Sequence, residues 1–173
     1  MDAQELLQLF RSGQRDFTGM DLRGIHLRNA HLDGIILAGA NLADSDLSGA
    51  GLFGADLHGA ILNRAHLGLG HDSATDPNLD DIDIGMECID LAKANLNGAF
   101  LLEANMYAAN LQEADLSHAD LRRAHLSQAN LVGANLEAAN FSFANLTGAH
   151  VNSDALKSAD TTNAIIDGLI IHE

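Results

Sequence analysis

The chain has 173 residues, 24 Asp and Glu against 9 Lys and Arg, and a formal net charge of −15. That charge disfavours nucleic acid and anionic membranes as partners, and no apolar run approaches the roughly 20 residues of a membrane-spanning helix. Hydrophobic residues make up 47%, yet there are only six Phe, one Tyr and no Trp, so the apolar mass is Ala and Leu and suits a thin core.

Cys88 stands alone, which excludes an intrachain disulfide and a multi-cysteine metal site. The start, MDAQELLQLF, lacks the basic opening of a secretory signal, and a cytoplasmic location is expected. Residues 2–12 are expected to form a short capping helix. Asp2 is its N-cap, with Glu5 three positions later; Leu6, Leu7 and Phe10 form its apolar face, and Gly13 is its stop. Such a helix is too short to stand alone and is expected to cover exposed core side chains at one end of the molecule.

From residue 15 to 67 a five-residue period sets in, centred on Phe17, Leu22, Leu27 and so on to Leu67. It resumes with greater regularity from Ala94 to Val151, with Ala at every fifth position, a bulky apolar residue two later, and usually Asn, Asp or His between them. Five residues of helix turn the chain a net ~140°, which leaves no apolar stripe. A straight strand alternates faces with period two, so an odd repeat would point successive leucines to opposite sides. The period therefore requires a corner in every repeat and a coil whose Ala and Leu all point inward. Such coils bury a core only when stacked. Gly34, Gly39, Gly49, Gly54 and Gly59 recur two after the centre, where the corner calls for positive φ. Met20, Ile25, Ile35 and Ser45 replace the inward Ala in the first block and predict a wider first coil or two.

These A-(D/N)-L-x-x units resemble the pentapeptide repeat family. That resemblance implies an all-β, right-handed quadrilateral β-helix with four repeats per coil, a single domain over residues 1–173. The N-terminal run ELLQLFRSGQRDFTGMDLRG is similar to the start of cyanobacterial members. With four repeats per coil, residues 20 apart stack, and Asp44 then meets Arg64, Lys93 meets Glu113, and Glu103 meets Arg123.

Residues 68–83, GLGHDSATDPNLDDID, break the rhythm and read as an inserted acidic loop. The step from Leu67 to Leu91 is 24 residues, so with re-entry at Ile84-Gly85-Met86 fourteen residues are surplus, and the second block spans 84–171. Asp72, Asp76, Asp80, Asp81 and Asp83 make this loop a candidate interaction site. Asp76, Asn78, Asp80 and Glu87 follow positions 1, 3, 5 and 12 of a calcium loop, although Asp81 stands where that pattern wants glycine. His26, Asp46 and His66 fall in one column, too widely spaced for a ready zinc site. At the C-terminal end Leu169 and Ile171 are expected inward, whereas Ile165 and Ile170 take outward positions and call for a cover. That cover is either a cap the chain makes itself or a second copy, and the missing terminal helix favours the homodimer.

No G-x-S-x-G and no phosphate-binding glycine loop occurs, and neither a catalytic group nor a cofactor is expected. The expected role is a non-enzymatic interaction or structural rod with an unidentified protein partner. Phe53, Phe100, Leu102 and Tyr107 are its outward apolar residues. The alternatives are a DNA mimic that binds gyrase, a property of some family members, and calcium binding through the acidic loop.

Overall fold

The computed structural model describes residues 1–68 and 88–173. Helix α1 spans Ala3–Arg11, and the Asp2 carboxylate accepts the Glu5 N–H at 2.8 Å, as the capping pattern predicts. Leu6 and Phe10 are buried in the main core, so α1 lies over the first coil and closes that end.

Beyond α1 the chain is a ladder of isolated parallel bridges between repeats. Asp16 faces Ile36, Asp21 faces Asn41, His26 faces Asp46 and His31 faces Gly51. Continuing the pairings gives four columns, each advancing 20 residues per coil except at one step. Within a repeat the central residue donates to the coil above, as Phe17 N does to the Ile36 carbonyl at 2.8 Å. The corner then closes on itself, with Ala40 N donating to the Leu37 carbonyl at 2.9 Å. A positive φ at the third corner residue, and not at the second, is the type II turn. Glycine fills it at Gly39 (φ 63°), but Arg64, Ala138 and Phe143 adopt it too (φ 56°, 54° and 62°).

Every central side chain from Phe17 to Leu67 and from Leu91 to Val151 is at most 2% exposed. Burying each such Leu contributes roughly 1.5–3 kcal/mol, so the shaft itself dominates stability. Ile25 and Ile35 are accommodated in alanine slots of the early coils, and both are buried.

The interruption differs from the expected one in size. Gly51 pairs with Asp90, Asp56 with Asn95, Ile61 with Phe100 and His66 with Asn105, each a step of 39 rather than 20. The surplus is therefore 39 − 20 = 19 residues, not fourteen. The expected re-entry at 84–86 falls outside the described residues, but the columns leave no slot for that repeat, because Asp90 follows His66 directly. Gly68 marks the departure point. A Cβ there would lie 2.5 Å from the Tyr107 backbone nitrogen, a gap that only glycine fits.

The far end closes differently. Strand β1 (His150–Asn152) pairs in parallel with β2 (Ile170–His172), and a 3-10 turn, Ala155–Ser158, lies between them. Ile165 and Ile170 are exposed, as their outward positions predict. Ile171 holds a central slot yet is 56% exposed, against the expectation that it would be buried, because no further coil lies over it.

Candidate functional site

Where Asn or Asp precedes the central residue, the backbone fixes its side chain. Its side-chain oxygen accepts the N–H two residues on: Asp46 from Ser48 at 3.0 Å, Asp90 from Ala92 at 3.1 Å, Asn145 from Thr147 at 3.0 Å. This Asx turn holds the chain at the entry to those corners. Part of the chain's acidity is therefore structural. Axial bonds tie coils together as well, with the Asn110 amide donating to Asp90 at 3.0 Å and that of Asn135 to Asp115 at 3.1 Å.

On the outer walls several cations pair with carboxylates of the neighbouring coil. Arg64 forks onto Asp44 at 2.7 and 2.8 Å, Lys93 approaches Glu113 at 3.6 Å and Arg123 approaches Glu103 at 3.4 Å, the three pairs that a 20-residue register predicts. The Arg64 bond holds the Asp44 carboxyl below its ordinary range. Asp120 is held low in the same way by its hydrogen bond to Arg122, against the opposing effect of burial. Burial raises the Asp46 carboxyl, but the Ser48 hydrogen bonds, with Arg28 and His66 nearby, leave it below the usual value. His26, Asp46 and His66 do share a column. Among the described residues, however, no three His, Cys, Asp or Glu side chains converge closely enough to hold a metal ion.

The sequence-derived loop sites, Asp72, Asp76, Asn78, Asp80, Asp81, Asp83 and Glu87, lie outside the described residues. Of the outward apolar residues, Phe53 and Phe100 are exposed, while Leu102 and Tyr107 are half-buried. Phe143, which sequence reasoning passed over, is the most exposed aromatic of the walls at 57%. Ile165, Ile166, Ile170 and Ile171 form an uncovered apolar end. Next to it His150 Nδ1 lies 3.0 Å from His172 Nε2, a contact that joins the two final strands.

At the opposite end a groove of about 440 Å³ opens between α1 and the first coil. Arg11, Arg15 and Arg28 line it, together with Leu7, Phe10 and Leu27. Sequence reasoning did not find it, since residues 11, 15 and 28 meet only when the helix folds back over the coil. No helix among the described residues is long and apolar enough to cross a membrane.

The model of the family described as pentapeptide repeats matches residues 16–49, 37–68, 86–123 and 119–152, in eight copies. Solved structures align over most of the chain. HetL, a pentapeptide repeat protein involved in heterocyst differentiation regulation from the cyanobacterium Nostoc sp. strain PCC 7120, is 26% identical, with 98% of this chain and 94% of that one covered and a TM-score of 0.38. The pentapeptide repeat protein alr5209 from Nostoc is also 26% identical, covering 99% and 96%, with a TM-score of 0.44. A trypsin-treated form of QnrB1, a plasmid-mediated fluoroquinolone resistance protein, is 17% identical over 92% and 86%, with a TM-score of 0.48. No curated protein matches the chain.

Proposed function

This chain belongs to the pentapeptide repeat family, and from that premise we propose that it is a non-enzymatic rod, an interaction or structural module for a protein partner. We take the solenoid to be right-handed and four-sided, the family's form, and its setting to be cytoplasmic. The observation that carries the functional reading is the interior. Central side chains from Phe17 to Leu67 and from Leu91 to Val151 fill the shaft at 2% exposure or less, so the walls offer surface rather than a reaction pocket. Purified protein used as bait in the source cell's extract is expected to retain a discrete protein. Retention of nothing beyond an unfolded control would count against the reading.

A topoisomerase-directed DNA mimic is the alternative. The wall column Asp44, Arg64, Glu103, Arg123 alternates in sign, unlike a phosphate backbone, and argues against it. Inhibition or protection of gyrase in a supercoiling assay would restore it. Calcium binding by Asp76, Asn78, Asp80 and Glu87 is a separate reading that calorimetric titration decides.

The C-terminal end is proposed as a homodimer contact, with Ile165 and Ile170 of each copy against the other around a two-fold axis. Its support is the four exposed isoleucines at that end. Light scattering is expected to give twice the chain mass, and Ile171→Glu to return the monomer. A monomeric parent would dismiss the contact.

A further inference from the structure

The last two strands bring a pair of imidazoles together. β1 and β2 run parallel, with His150 opposite Ile170 and Asn152 opposite His172. Residues 150, 152, 170 and 172 share one face of the pair, and on it His150 and His172 are diagonal neighbours, a separation that rings can bridge. The backbone fixes both. His150 N–H donates to the Ala129 carbonyl at 2.9 Å and Ile170 N–H to the Ala149 carbonyl at 2.9 Å, while the His172 carbonyl accepts from Ser153 N–H at 3.0 Å. The rings lie 25° from parallel with centroids 5.2 Å apart, and His150 Nδ1 is 3.0 Å from His172 Nε2. Both residues are half-buried, so a small ion can still reach them.

In the neutral pair the two facing nitrogens share one proton. A metal ion takes its place when the ring that carries the proton switches to its other tautomer, with the proton on its own far nitrogen, so that both facing lone pairs become available. No proton is lost overall, and two of the ion's waters leave. With metal–nitrogen bonds of about 2.0–2.1 Å, the 3.0 Å separation subtends ~94° at the ion. That is close to the right angle between neighbouring positions of tetragonal or octahedral coordination, whereas a tetrahedral angle would need about 3.3 Å. Each lone pair must swing roughly 40° off the nitrogen–nitrogen line, a turn that the broad χ2 torsion of histidine permits.

We propose that His150 and His172 chelate one divalent transition-metal ion of the class that favours imidazole and right-angled geometry, Cu²⁺ or Ni²⁺, with water in the remaining positions. The pair supplies two ligands where a closed structural site has four, so the ion is exchangeable. The formal charge of −15 favours a cation here over an anion. By bridging β1 to β2 the ion pins the strand that carries Ile170 and Ile171 at the exposed end. The site is separate from the interaction reading, since it needs no protein partner.

Calorimetric titration of the full-length protein with Cu²⁺ is expected to show one tight equivalent per chain. His150→Gln and His172→Gln are each expected to weaken it at least about tenfold, because either loss turns a chelate into a single contact, while His118→Gln at an outer corner leaves it unchanged. In the unaltered protein, substoichiometric Cu²⁺ is expected to broaden the imidazole NMR signals of His150 and His172 before those of the exposed His58 and His118. An excess of Mg²⁺, which prefers oxygen ligands, is expected not to displace the ion. Broadening of all four imidazoles together, equal affinity in His118→Gln and His172→Gln, or half an equivalent per chain would overturn the proposal. So would release by Mg²⁺, which would assign the ion to surface carboxylates.

Discussion

Ser45 occupies an inward slot that is alanine in most repeats, and its hydroxyl is the one buried side-chain polar atom among the described residues without a hydrogen-bond partner. Its backbone is fully used, with the N–H donating to Leu42 at 3.2 Å and the carbonyl accepting His66 N–H at 2.8 Å, so only the oxygen of the side chain is at issue. An unsatisfied buried hydroxyl costs about 1–3 kcal/mol. Ser45→Ala removes that cost and leaves a void of one oxygen, on the order of 10 Å³, which at ~24 cal/mol per Å³ returns about 0.2 kcal/mol. The net expectation is a gain of about 1–2 kcal/mol, or roughly 3–6 °C in Tm for a chain of this size. Differential scanning calorimetry reads it. Ser142→Ala is the control with opposite sign, because the Ser142 hydroxyl donates to Asn140 at 2.6 Å and Asp160 at 3.1 Å and its loss destabilises. The reasoning fails if Ser45→Ala melts below the parent or if both serine variants move in the same direction.

Ala138→Gly is expected to stabilise by up to about 1 kcal/mol in urea unfolding. Alanine at φ 54° carries a left-handed penalty of ~1–2 kcal/mol, and the greater freedom of unfolded glycine offsets part of the relief. Asp120→Asn is expected to lower stability by under ~1 kcal/mol at pH 7 through weakened Arg122 pairing. Because the folded Asp120 pKa lies below its ordinary 3.8, that contribution is fully present above the ordinary value. It is lost as pH falls through the folded value, so parent and variant melting curves converge at low pH. Gly68→Ala is expected to reduce Tm sharply, since the added methyl meets the Tyr107 backbone. Retained stability would show that the coil can open there.

Much of this architecture was legible because one spacing encodes it. Ala and Leu two apart must share a face, and a period of five then forces a corner, so the shaft and the positive φ at Gly34 or Gly49 follow directly. Asp2 and Glu5 announced α1, whereas the 20-residue register came from the family resemblance, and the pairing of Asp44 with Arg64 agrees with it. The role of the Asn and Asp slot was overlooked, although its mechanism is local and the signal was present in most repeats. The count of surplus residues was misjudged because Ile84-Gly85-Met86 has the spacing of a repeat, and only the pairing of Gly51 with Asp90 shows that no slot exists for it. Ile171 was assigned inward by phase, but burial also needs a neighbouring coil. The groove had no sequence signature, because it is made by the angle at which α1 returns over His26 and His31.

The register across the interruption is tested most directly by disulfide trapping, with Cys88 replaced by Ser. Arg64 and Glu103 stand at equivalent corners of successive coils, given the pairings of Ile61 with Phe100 and His66 with Asn105. The expected backbone separation is about 4.8 Å, within reach of a disulfide. Arg64→Cys with Glu103→Cys is expected to cross-link under mild oxidation, while Arg64→Cys with Glu113→Cys, two corners farther along the coil, stays reduced. Equal cross-linking of both pairs, or linkage of the second alone, would contradict the stacked four-repeat coil.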